Sequence, residues 1–375
     1  MTGLLDGVRV VETATLLPGA AAGMALADLG ADVVKVEPPH GDLIRILGQI
    51  APGHSPAHLQ LNRNKRGVTV DLRNDADRAR WEALVAEADV LIDGNAVGQL
   101  AKLGYDGDAL HRLNPRLIRC TLTGFGTVGP YADVPAHGLL VGALVGSFPG
   151  AGKLEGAALD GRGGGPALAT AWPTAASICA ALYRREKSGK GALIDVSEAD
   201  ALLAASMVPV VYFANESRIA DDSTLPALTD GQHGPRYCIY EVADGAKIAF
   251  AALEPSLWAR FCAAVGREDL LEAGYEGDRL AAEVAAVFAE RTSDQWLNMA
   301  ATQRLSIGPV HESIAEVLED RQLSERPVIA PMIHPIAGEF VAIGPPFSVD
   351  RQEFEIRRYA PALGEHNVEL SDGWS

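Results

Sequence analysis

The sequence predicts an α/β fold: a parallel, doubly wound sheet over residues 1–205, followed by a smaller α+β domain. Three observations carry this expectation. Short β-branched runs alternate with helical segments over the first part of the chain, the pattern of a parallel sheet covered by helices on both faces. The stretch 26–45, LADLGADVVKVEPPHGDLIR, ends a small-residue helix at Gly30 and opens a Val-rich strand that Pro38 and Pro39 stop. From Tyr237 the texture changes to a hairpin and three helical segments.

Taken in order, a strand at 8–12, a helix at 20–29 and a strand at 33–36 read as a β-α-β unit. Lys35, Glu37, His40, Asp42 and Arg45 crowd the carboxyl end of that second strand, where open α/β sheets place ligands. Further strands are expected at 67–71, 90–92, 117–121 and 192–196, with an amphipathic helix at 76–88. The stretch 147–166, SFPGAGKLEGAALDGRGGGP, is too rich in glycine for regular structure and reads as a loop. A helix at 174–185 follows it. Residues 197–215 read as one more helix, and 206–235 as the tract joining the domains, rich in Asp, Ser and Gly from 216 onward. The small domain, 236–325, begins with strands at 237–241 and 247–252 turned by Asp244 and Gly245. Helices are expected at 256–265, 279–290 and 293–303. Residues 326–375 carry strands and many prolines.

Composition narrows the function. The 375 residues are 48% hydrophobic and 22% charged, enough apolar material for a large core. A net charge of −17 argues against nucleic acid, whose phosphates need a basic face. It does not oppose a ligand with one diphosphate, which a few local Lys and Arg side chains can hold. Cys120, Cys179, Cys238 and Cys262 lie far apart without metal-ligand spacing, as expected for core thiols in a reducing compartment. The amino-terminal segment lacks the basic-then-apolar order of a signal peptide, and no apolar run approaches the roughly 18 residues a membrane span needs. The expectation is a cytoplasmic protein with no nucleic-acid or membrane partner and no metal.

Several motifs then fall in a recognisable order. They are the 26–45 stretch, LNRNKRGVTVDL (61–72), NPRLIRCTLTGFGTVGPY (114–131), KSGKGALIDVSEADA (187–201), PVHESIAEVLED (309–320) and LGEH (363–366). Together they resemble the class III CoA-transferase family, which includes formyl-CoA transferase, carnitine CoA-transferase and α-methylacyl-CoA racemase. The resemblance implies a Rossmann-like large domain and a small domain, with the carboxyl-terminal segment returning to the large domain. It also implies two interlocked subunits, and an acyl-CoA thioester as substrate with no permanently bound cofactor.

The resemblance also proposes site residues. Lys65 and Arg66 open a strand where cations can meet a CoA phosphate, or else form a solvated basic turn. Lys35 and Arg45 are further candidates for the same charge. The family's Arg-Pro-Gly after the strand at 90–92 is replaced by Ala96, Val97 and Gly98, so one CoA contact is absent. His137, in PAHGLLVGALVG (135–146), stands where racemase-like members carry Gly-His-Asp. Its neutral imidazole could take the proton α to a thioester carbonyl. Gly138 replaces the Asp of that motif. Glu254, in AALEPSLW (251–258), matches a racemase-branch Glu of the small domain, although a Glu at a helix start also suits the helix dipole.

The decisive departure lies in PALATAWPTAASICAAL (166–182). Transferases of the family carry there the Asp that forms an acyl anhydride, and racemases use it as the second acid–base group. The aligned position in this chain is Ala167, Ala169 or Ala171, and none can carry an acyl group or a proton. Asp160, in the Gly-rich loop, is the nearby substitute. Three readings follow. One is a racemase-like enzyme working at the α-carbon through His137 and Glu254. Another is a CoA-transferase with a relocated nucleophile. The third is a non-catalytic acyl-CoA-binding subunit paired with an Asp-bearing paralogue, a hetero-oligomer in place of the homodimer expected otherwise.

Overall fold

The structure, a computed structural model, describes residues 3–146, 165–218, 234–272, 277–326, 328–351 and 353–374. The chain forms two compact units, one of residues 1–206 with 326–375 and one of residues 207–325.

The first unit is built on six strands: β1 (Arg9–Glu12), β2 (Asp32–Glu37), β3 (Lys65–Thr69), β4 (Val90–Asp93), β5 (Ile118–Thr123) and β6 (Ala192–Ser197). Their order is β3-β2-β1-β4-β5-β6 and every neighbouring pair is parallel. The central strands read as unbroken Val, Leu and Ile because both faces are covered. Val10 and Val11 point to opposite faces and are both fully buried, as pleating requires. On one face Val10, Val33, Val90 and Ile118 pack against Ala22 and Leu26 of α1 (Leu16–Asp28) and against Ile178 and Leu182 of a long helix, Ala171–Ser188. The alanines of α1 let that helix lie close to the sheet. On the other face Val11, Val34 and Leu91 meet Trp81, Leu84 and Val85 from the helix Asp75–Glu87. Leu370 and Trp374 join the same cluster, and Trp374 Nε1 donates to Leu84 O at 2.7 Å. Burying each such large apolar side chain is worth about 1.5–3 kcal/mol.

The strand order decides where a ligand can sit. β1 lies between β2 and β4, so the chain winds one way from β1 through β3 and the other way from β4 through β6. Loops leaving β1 and β4 therefore diverge and leave a crevice outside their carboxyl ends.

Two expectations shift. β3 begins at Lys65 rather than Gly67, because Lys65 and Arg66 are buried strand residues and not a solvated turn. The helix expected at 197–215 is two, Glu198–Ala205 and Met207–Ala214, parted at Ser206. Residues 147–164, which hold most of the expected Gly-rich loop, lie outside the described residues.

The second unit carries an antiparallel sheet of β7 (Tyr237–Glu241), β8 (Lys247–Ala251) and β9 (Ile307–Pro309). Gly245 takes φ +78° in the β7–β8 turn, a conformation side chains rarely adopt. Three helices, Pro255–Val265, Asp278–Phe288 and Ser293–Gln303, close over the sheet on an aromatic core of Phe250, Trp258, Phe261, Phe288 and Trp296. In the first unit, β10 (Ile329–His334) and β11 (Gly338–Ile343) form a separate hairpin. Cys120 and Cys262 are buried, Cys179 and Cys238 half-buried, and all four are free thiols.

Candidate functional site

A cavity of about 770 Å³ opens at the crevice the strand order creates. Its walls are the segments that follow four neighbouring strands. β1 leads to Thr15–Gly19, β4 to Gly94–Val97, β5 to the stretches 122–125 and 132–138, and β6 to Glu198. Leu47, Lys102 and Ala167 complete the lining. Most of these walls are apolar or backbone; the ionisable side chains are Lys102, Asp133, His137 and Glu198.

His137 is the residue before the helix Gly138–Leu144, exposed, with no hydrogen bond from its ring to the helix amides. Glu198 is the first residue of the helix Glu198–Ala205. Ser197 Oγ caps that helix by accepting from Asp200 N at 3.2 Å, and Ala199 N donates to Gly124 O at 3.0 Å. The two bonds pin the start of the helix against the β5 loop, which holds Glu198 at the cavity with only 7% of its surface exposed. Among the described residues its carboxyl has no hydrogen-bond partner. Burial raises its pKa to about 7.

The four cations singled out for CoA stand elsewhere. Lys35 and Lys65 are fully buried and share one carboxylate: Lys35 Nζ lies 3.1 Å from Glu12 Oε1, and Lys65 Nζ 2.6 Å from Glu12 Oε2. Lys35 also reaches Asp42 Oδ2 at 3.0 Å, and Lys65 donates to Ala20 O and Asn62 Oδ1, both at 2.9 Å. Gly23 makes room for this cluster, since a Cβ there would fall 2.0 Å from Glu12 Oε2. Burial opposes the charged form of both lysines. For Lys35 the attraction of Glu12, Asp42 and Glu37 outweighs it and the pKa is raised. For Lys65 burial, reinforced by Lys35, prevails and the pKa falls to about 8. Arg45 grips Glu37 with two bonds of 2.7 and 2.6 Å, and Arg66 is held by Asp32 and Glu369. None of the four lines the cavity.

Of the other expected residues, Asp160 lies outside the described residues. Glu254 is exposed and belongs to the second unit, where it caps Pro255–Val265 through its backbone without a side-chain bond. Of the three alanines that can align with the family Asp, Ala167 lines the cavity. Ala96 and Val97 line it too. Sequence reasoning did not single out Glu198 or Lys102. A carboxylate immediately after a parallel strand was a signal for Glu198, but an acidic residue in a first helical turn is ordinary. Among the described residues no cluster could hold a metal ion, and no helix is long and apolar enough to cross a membrane.

Residues 5–367 match the family model of CoA-transferase family III. The chain belongs to CoA-transferase family III. It is 28% identical to the formyl-CoA:oxalate CoA-transferase of Streptomyces avermitilis, over 100% of this chain and 96% of that protein. It is 31% identical to the succinyl-CoA:mesaconate CoA-transferase of Haloarcula hispanica, over 99% and 96%. Among solved structures it resembles Rv3272 of Mycobacterium tuberculosis, with a TM-score of 0.80 at 26% identity over 98% of this chain and 99% of that one. A CAIB/BAIF family protein of Brucella suis aligns with a TM-score of 0.76 at 28% identity over 99% of both. The family relation settles the sequence resemblance, and the six-stranded parallel sheet with a smaller antiparallel one is the fold it implied.

Proposed function

We propose that this protein moves coenzyme A from an acyl-CoA to a carboxylic acid, with the chemistry in the switch-point cavity. The carrying observation is that cavity itself: it lies outside the carboxyl ends of β1 and β4, is largely apolar, and gathers His137, Ala167 and Glu198. The names of the full-length relatives support transfer over the other readings. Lys102, at the rim, supplies charge for a CoA phosphate in place of the family arginine. Lys35, Arg45, Lys65 and Arg66 belong to the fold instead, each with its charge already met by carboxylates of the same chain.

The methyl group of Ala167 cannot carry an acyl group, so the acceptor carboxylate attacks the donor thioester carbonyl itself. The C–S bond breaks, CoA leaves as thiolate, and a mixed anhydride of the two acids remains in the cavity. Thiolate attack on the acceptor's carbonyl then gives the new thioester and frees the donor acid. A single turnover with an ¹⁸O-labelled acceptor tests this. One label should appear in the released donor acid and none in the protein. Label in a protein carboxyl would show a covalent route, and no CoA transfer from a panel of acyl-CoAs to dicarboxylates would sink the reading.

His137 in the cavity favours a second reading, removal of the α-proton of an acyl-CoA. Deuterium entering the α-carbon from D₂O, without CoA transfer, would establish it. Neither reaction, with co-purification of a homologous chain, would leave the acyl-CoA-binding subunit. We also infer the interlocked dimer from the apolar side chains that Met207, Val208 and Val211 expose on one helix. Sedimentation should give a dimer at micromolar concentration, and a monomer would refute it.

A further inference from the structure

Glu198 stands apart from the other ionisable groups of the cavity. Lys102, Asp133 and His137 are exposed, whereas Glu198 is buried and its carboxyl has no partner among the described residues. Among the described residues, the elements around it do not neutralise it. The helices Gly138–Leu144 and Gly165–Ala169, which pack on Glu198–Ala205, carry no ionisable side chain. β6 contributes Asp195, which is occupied by Thr127 N at 3.1 Å, and the helix itself contributes Asp200. A buried carboxyl without a donor or a cation costs stability. In a crevice that accepts a ligand, such a group is a reacting group by its position.

We propose that Glu198 is the acid–base group for the sulfur of coenzyme A. Its neutral carboxyl gives a proton to the thiolate as the C–S bond of the donor thioester breaks. The resulting carboxylate takes that proton back when the thiol attacks the anhydride. The proton balance closes over the two steps, with no other reactant. The acidities suit such an exchange, since an ordinary thiol titrates near about 8.5 and an acid near 7 both protonates it and recovers the proton. An ordinary exposed glutamate would be too weak a base to take it back and too seldom protonated to give it.

This inference rests on the transfer reading, so the experiment has one arm that does not require turnover. Glu198→Gln keeps the shape and removes the proton; its melting curve verifies folding. In the transfer assay wild-type kcat/KM for acyl-CoA should fall as pH rises through about 7. Glu198→Gln should lose about 10²–10⁴-fold in kcat with the KM for acyl-CoA within about threefold, and that limb should vanish. Glu198→Asp should restore part of both. A variant that keeps the limb, or loses less than about threefold in kcat, overturns the proposal. So does hydroxylamine trapping of an acyl group on Glu198, which would make it the nucleophile.

The second arm is calorimetry of acyl-CoA binding at pH 7.5 in two buffers of different ionisation enthalpy. A thioester carbonyl facing the acid favours its neutral form, so wild type should take up protons and Glu198→Gln should not. Equal uptake by both overturns the assignment of Glu198. Uptake lost in the variant, with no transfer in any assay, keeps Glu198 at the thioester and overturns the transfer reading.

Discussion

One sheet shows two treatments of buried charge. At the β2–β3 side, Lys35, Lys65, Arg45 and Arg66 are buried, and every one of them meets a carboxylate within 3.1 Å. At the β1–β4–β6 side, Glu198 is buried beside a cavity with no partner among the described residues. Both sides bury charge on or just beyond the parallel strands of this sheet, so burial alone does not tell fold from function. Completeness does. A compensated charge fixes the chain, and an uncompensated one is held for something that arrives.

If the β2–β3 network is structural, removing its shared anion should have the largest effect. Glu12→Ala leaves Lys65 fully buried without an anion and should cost about 3–5 kcal/mol, read by urea unfolding. A loss below about 1 kcal/mol would mean that these cations are free to serve a ligand. On the other side the sign reverses. The folded pKa of Glu198 lies above its ordinary value, so folding favours the protonated form. That penalty for the charged form appears as pH rises from about 4.5 to about 7 and is complete above 7. Glu198→Gln should therefore stabilise the protein by about 3 kcal/mol at pH 8 and have little effect at pH 4.5. Equal effects at the two values would break the comparison.

Gly23→Ala tests the network by crowding. Its methyl would meet the Glu12 carboxylate, and a loss of about 1–3 kcal/mol is expected, with little change in acyl-CoA affinity. The smallest effect belongs to the cavity rim. Lys102→Ala should weaken CoA binding by about 0.5–1 kcal/mol, more at low salt, since an exposed cation is well screened. Unchanged calorimetric affinity at low salt would remove Lys102 from the site.

The central strands were legible because Val, Leu and Ile runs bounded by Pro, Gly and Asp allow little else. The start of β3 was not, because Lys65 and Arg66 look solvated until Glu12, Asp32 and Glu369 are seen beside them. The break at Ser206 hides in a stretch apolar on every face, where periodicity has no contrast. β9 is three residues long and pairs with β8 across more than fifty residues, too little for a local pattern. At the site, His137 could be named from its motif and Ala167 from what it replaces. Glu198 needed the strand order, because only the adjacency of β1 and β4 turns the residue after β6 into the wall of a cavity.

The return of residues 357–374 has a consequence for synthesis. β3 is the outer strand of the sheet, and its exposed amides are taken by side chains: Gly67 N donates to His366 Nδ1 at 3.1 Å and Thr69 N to Asn367 Oδ1 at 2.9 Å. Thr69 and Asn367 are 298 residues apart in sequence. At translation rates of about 5–20 residues per second, the nascent sheet waits on the order of 15–60 seconds for its cover. During that interval the ribosome carries a bare strand edge, an invitation to pair with a neighbouring nascent chain. Trimming residues 357–374 would make that brief exposure permanent.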